Sequence, residues 1–274
     1  YFNVRKITFS LIVLLFFSAN SFAKKEPYIG QILYGNIGPF GLGTEILLPV
    51  GEWVVAGVTV SNGSVRWAEL VLLQIESDKI KALLNIKYPR KLEAPINEWG
   101  TNDGWRRDKH FDNNTCDDYD GQNSNYHETL IKKILGGQRI IRAVCLSVHG
   151  ISNFNPNRKF SSKSWRMAHD YVERVNLNYP NNLVFVDTTF FRLTNMVHVY
   201  FATNPEFILS KSRQGSPSEG NPWSKGNITK NDDKNKFMSD VIMIGQNTMS
   251  NNIDDFIDGK RLDFFRFNDL IRNK

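Results

Sequence analysis

Between residues 52 and 88 the chain runs as three apolar-rich, β-branched or alternating segments joined by short polar turns. A period of two with such short connections leaves room for little except antiparallel strands. Glu52 to Ser61 is rich in β-branched residues, and Asn62-Gly63 is the dipeptide that best suits a tight hairpin. From Val65 to Ile75, Arg66, Ala68, Leu70 and Leu72 alternate with Trp67, Glu69, Val71 and Leu73. Ser77-Asp78 turns the chain into Lys79 to Tyr88, where Ile80, Ala82, Leu84 and Ile86 oppose Lys79, Lys81, Asn85 and Lys87. Thr44 to Pro49 adds a strand upstream, closed by a turn at Val50-Gly51. The half-polar pattern predicts a meander over 44–88 with one face in solvent.

Downstream the signals mix. Residues 89–124 are rich in Pro, Gly, Asn and Asp and read as loop. Asn125 as cap, Glu128 three residues on, and apolar Leu130, Ile131, Ile134 and Leu135 before Gly136-Gly137 predict a short helix. Arg139 to Val148 reads as a strand. Ser162 or Ser164 can cap a second helix carrying Trp165, Ala168, Tyr171, Val172 and Val175 at helical spacing. Leu183 to Phe191 and Met196 to Phe201 form a hairpin through Leu193-Thr194-Asn195. Ser210 to Asp233 has the composition of a long surface loop, and the tail returns to helix with Phe237, Val241, Ile244, Ile253 and Phe256 on one side. Strands early and helices late, without β-α-β alternation, predict an α+β fold: an antiparallel sheet of hairpins with several helices packed on it. Residues 24–274 are expected to form a single domain.

The first 23 residues predict the protein's address. Arg5-Lys6 precedes the apolar run Ile7 to Phe17, and Ser21 and Ala23 supply the small residues of a cleavage site. The run is shorter than the roughly 20 residues a bilayer span needs, so a cleavable signal peptide (1–23) is expected rather than an anchor. The expected location is the periplasm or the medium, with no transmembrane span after cleavage. The net charge of +6 falls to +4 without Arg5 and Lys6, and the lysines are scattered, which excludes a nucleic-acid role. In an oxidising compartment the two cysteines, Cys116 and Cys145, are expected to pair. Closing a loop of about 30 residues is worth about 3 kcal/mol in the chain-entropy model.

No motif specifies a chemistry. Gly35, Gly38, Gly41 and Gly43 miss the phosphate-loop pattern, since Ile46 stands where its last glycine belongs. His127-Glu128 lacks the second histidine of a zinc-protease helix, because position 131 is Ile131. Asp117, Asp118 and Asp120 before Gly121 carry carboxylates suited to calcium, but Cys116 and His127 occupy the two ends of the loop pattern. The remaining catalytic candidates are His149, Asp187 and His198, with Ser147 as a nucleophile, brought together only if folding assembles them. Asp187 and His198 lie on paired strands and can stand opposite each other in a hairpin centred near Leu193. Trp53, Trp67 and Trp165 fall on core faces; Trp99, Trp105 and Trp223 fall in loops, where aromatics can stack on sugars or enter a partner's pocket.

These observations favour an exported cell-envelope protein acting as a non-enzymatic binding or interaction module, with an envelope protein or a glycan as partner and no cofactor. The alternatives are a periplasmic or secreted hydrolase with a His/Asp site, and a calcium-stabilised secreted module.

Overall fold

A computed structural model of the chain describes residues 27–40, 44–60, 65–92, 126–135, 142–152, 162–192, 195–209, 223 and 225–271. Its centre is an eight-stranded sheet in the order β1-β4-β5-β6-β10-β9-β8-β7. Here β1 is Ile32–Leu33, β4 Trp53–Val60, β5 Val65–Glu76, β6 Lys79–Leu92, β7 Tyr126–Leu135, β8 Arg142–Ser152, β9 Asn182–Arg192 and β10 Asn195–Thr203. Every pairing in it is antiparallel. The fold is α+β on an antiparallel sheet, as the hairpin signals predict. Ser77 and Asp78 both have positive φ (50° and 59°), the backbone of a two-residue hairpin turn. The β9–β10 hairpin pairs Arg192 with Asn195 across its turn.

Three expectations need correction. Thr44–Leu47 is a strand (β3), but it leaves the meander for a second, three-stranded sheet with β2 (Asn36–Phe40) and β11 (Leu262–Asp263). Over the central strands the face expected in solvent is buried as well. Leu70 and Leu72 are buried in one core while Val71 and Leu73 are buried in another, as the unbroken apolar run Leu70 to Leu73 requires. Residues 126–135 are strand β7 rather than a helix. Their apolar residues come in adjacent pairs that fit either period once a bulge falls between Thr129 and Ile131, and pairing along β8 outweighs a weak helical preference.

The helix α1 (Lys163–Arg174) packs on one face, against β4 and β5. Ser162 caps it by accepting from the Trp165 backbone N–H, as expected, and Ser164, Trp165, Ala168 and Val172 point inward. Its first turn lies directly on β4: a Cβ at Gly57 would stand 2.0 Å from the Ser164 carbonyl oxygen. Glycine is required there by close approach rather than by backbone angle.

The other face carries the larger core. Over it lie the small sheet, the helices α2 (Lys225–Thr229) and α3 (Asp232–Ile257), and the C-terminal segment with Phe264, Phe267 and Leu270. The loop expected over 210–233 is therefore interrupted by α2 and by the start of α3, which Asn231 caps. Phe237, Val241, Ile244 and Phe256 are buried along α3, the stripe the sequence predicts. Asn252 clamps β11: its amide donates to the Asp263 carbonyl at 2.8 Å and accepts from the Asp263 N–H at 2.6 Å. Among the described residues no helix is long and apolar enough to cross a membrane.

Candidate functional site

The α1 face of the main sheet is not uniformly apolar. Antiparallel pairing in unbroken register lines up residues of five strands in rows across it, and successive rows are two residues apart. One row is Leu73, Leu83, Ala202, Phe185 and His149, and it forms part of the core beneath α1. The next row is Val71, Asn85, Tyr200, Asp187 and Ser147. The third is Glu69, Lys87, His198, Thr189 and Cys145. Two adjoining rows of a sheet interior are thus almost wholly polar, where the opposite face at the same level carries Leu70, Ile86, Val199, Thr188 and Leu146, apolar but for Thr188.

The polar groups are hydrogen-bonded in pairs. His198 Nε2 lies 2.6 Å from Asp187 Oδ1, an interaction made on the diagonal, since Asp187 is the register partner of Tyr200 and His198 that of Thr189. The two residues therefore meet, as the sequence suggests, but two positions out of direct opposition. The His198 ring packs on the Tyr200 ring with centroids 4.0 Å apart. Ser147 Oγ lies 2.8 Å from His149 Nε2, two residues along the same strand. At the α1 end, Glu69 accepts from Asn85 Nδ2 at 3.1 Å and from the Ser164 hydroxyl, so the polar rows are tied to the first turn of α1. Ser147 is 1% exposed, His149 2%, His198 3% and Asp187 7%. Burial pulls the Lys87 ammonium below the usual lysine range, and the nearby Glu69 carboxylate offsets part of that shift.

All four catalytic candidates of the sequence therefore stand on one face and within two rows of each other. The carboxylate and the hydroxyl engage different imidazoles, Asp187 with His198 and Ser147 with His149. Glu69, Asn85, Lys87, Thr189 and Tyr200 belong to the same polar field, and sequence reasoning missed them. Lys87 and Asn85 alone could have been found, as polar residues of a strand whose neighbours prove buried on both sides.

Other candidates fare differently. Trp53 and Trp165 are core residues as expected. Trp223, placed in a loop by the sequence, is 1% exposed and packs edge-on against Phe237 with Lys234 over its ring. It fills the core and offers no surface to a sugar. His127 and Glu128 lie on strand β7, so Glu128 caps no helix. Asp117, Asp118, Asp120, Cys116, Trp99 and Trp105 lie outside the described residues, as does the signal segment 1–23. Among the described residues no group of His, Cys, Asp and Glu could hold a metal ion. Cys145 ends the third polar row, 7% exposed, and no cysteine among the described residues is free. No protein-family model matches the chain, and no curated protein matches it.

Proposed function

We propose that this is an exported protein of the cell envelope that works by binding a polar ligand, a glycan or a peptide segment, at the polar rows of the α1 face. The observation that carries the reading is the pair of adjoining polar rows, Asn85-Tyr200-Asp187-Ser147 and Lys87-His198-Thr189, in a sheet whose other face at that level is apolar but for Thr188. A buried polar group contributes nothing net to stability unless it is bonded, and each costs about 1–3 kcal/mol if it loses its partner. Here they are bonded to one another in pairs, and convergent polar groups concentrated on one face are what fixes a ligand's orientation in a recognition site. Export rests on the Arg5-Lys6, Ile7–Phe17 and Ser21–Ala23 pattern. In that compartment Cys116 pairs with Cys145, which would fasten residue 116 to the end of the third polar row.

A thermal-shift screen of the mature chain from Lys24 with oligosaccharides and short peptides tests the reading. The expected result is a ligand that raises the melting temperature of the native protein and loses that effect in Lys87→Met, because a ligand that binds only the folded state must stabilise it. A stabilising ligand whose effect survives Lys87→Met and Tyr200→Phe unchanged would move the site elsewhere and refute the assignment.

A further inference from the structure

The last strand of the main sheet, β7 (Tyr126–Leu135), pairs along one side only among the described residues, with β8. Its ten residues of extended backbone present a row of amide and carbonyl groups about 33 Å long, and such an edge takes up another strand unless its sequence opposes it. We propose that the strand it takes up is β7 of a second copy of this chain. The two strands run antiparallel about a two-fold axis normal to the sheet, which passes between Leu130 and Ile131. The inference stands apart from the binding reading above.

The bulge in β7 makes the strand complementary to itself. Residues opposed across such an axis must share a face, because the rotation leaves each face of the sheet on its own side. In a regular strand Glu128 and Lys133 would lie on opposite faces, since an odd separation reverses the pleat. Here Glu128 pairs with Val148 and Lys133 with Val144, an even separation on β8, so the bulge between Thr129 and Ile131 brings both to one face. Thr129 and Lys132 likewise share a face, with Ser147 and Cys145 as their partners. The outer pairs follow the same count, and the whole of β7 can lie against its copy with the pleats matched.

Charge selects this arrangement. Glu128, an exposed residue, stands opposite Lys133 of the second copy, and the axis makes that opposite-charge pair twice. Lys132 stands opposite Thr129 rather than another cation. A copy added parallel and in register would instead set Glu128 on Glu128, Lys132 on Lys132 and Lys133 on Lys133, which like-charge repulsion opposes. The far edge of the sheet is β1, whose two residues are too few to receive β7, so head-to-tail growth has no seat and the association closes at two copies. Full pairing supplies about eight to ten interstrand hydrogen bonds, as many as a typical protein interface carries. It also runs the polar rows on: Thr129 extends the row that contains Ser147, and Lys132 of the second copy leads into the row that contains Cys145.

The test is sedimentation velocity of the mature chain from about 1 to 100 µM, since a dimer must respond to concentration by mass action. The expected result is a mass that rises to twice that of one chain. Glu128→Lys or Lys133→Glu alone turns two attractive pairs into two repulsive ones and should weaken the dimer about tenfold or more. The swap carrying both changes should return the dissociation constant to within about threefold of the parent. A chain that stays monomeric throughout overturns the proposal. So does a dimer that neither single reversal weakens, or one that the swap fails to restore. Amide hydrogen exchange of the native sequence gives a reading that needs no variant to fold: peptides from β7 should exchange more slowly at the high end of the concentration range, and exchange that is equal at both ends overturns the assignment.

Discussion

Replacing Gly57 by alanine attacks the point where α1 meets the sheet, and the cost can be worked from the geometry. The new methyl would lie 2.0 Å from the Ser164 oxygen, 2.9 Å from its carbonyl carbon and 3.2 Å from the Ala168 nitrogen, all backbone atoms of a helix. Atoms of this kind rest at roughly 3.5 Å, so α1 must retreat by more than about 1 Å. Overpacking of a core costs about 1–3 kcal/mol. The retreat also pulls Ser164 from Glu69, a hydrogen bond to a charged group worth about 1.5–3 kcal/mol, reduced here because Glu69 is half-buried. Together the loss is about 3–5 kcal/mol, or about 6–20 °C in melting temperature for a chain of this size. Gly245→Ala is the internal control. Its methyl would stand 3.2 Å from a Val186 side-chain carbon that can give way, and α3 gains about 1 kcal/mol of helix propensity. That variant should stay within about 1 kcal/mol of the parent. Urea unfolding followed by far-UV circular dichroism measures both. A Gly57→Ala protein as stable as Gly245→Ala would refute the reasoning that close backbone approach, rather than chance, placed glycine at 57.

Asn252→Ala removes both hydrogen bonds to Asp263 and leaves a buried N–H and carbonyl unserved, for a loss of about 2–4 kcal/mol in the same urea assay; a loss under about 0.5 kcal/mol would mean the clamp adds nothing. Lys87 binds its proton less tightly in the folded state than in the unfolded chain, so the unfolded state holds more protons below the usual lysine value of 10.5. The stability of the native protein minus that of Lys87→Met should therefore rise as pH increases from 8 toward that value, and a difference that stays constant or falls contradicts the desolvation argument. Cys145 should resist thiol reagents in the native protein until a reductant is added; labelling of both cysteines without reduction would dismiss the bridge to Cys116.

Much of the sheet was legible because its information is local. The alternation of Val65 to Ile75, the Ser77-Asp78 turn and the β9–β10 hairpin depend on residues a few positions apart, and they fold as their spacing predicts. The Ser162 cap and the stripe of α1 are equally local. Residues 126–135 misled because their apolar pairs satisfy two periods, and only contact with β8 chooses between them. The burial of both sheet faces was legible in the unbroken apolar run Leu70 to Leu73, but the half-polar pattern of Lys79 to Lys87 pointed the other way. The chemical residues show the division most clearly. Composition and spacing could nominate Ser147, His149, Asp187 and His198 as residue types suited to catalysis, but the first two lie on β8 and the last two in the β9–β10 hairpin, with α1 between them in the chain. What joined them, and added Asn85, Lys87, Thr189 and Tyr200, was the register of β6, β10, β9 and β8. Register is a property of the whole sheet: a slip of one residue would turn each of these side chains to the opposite face.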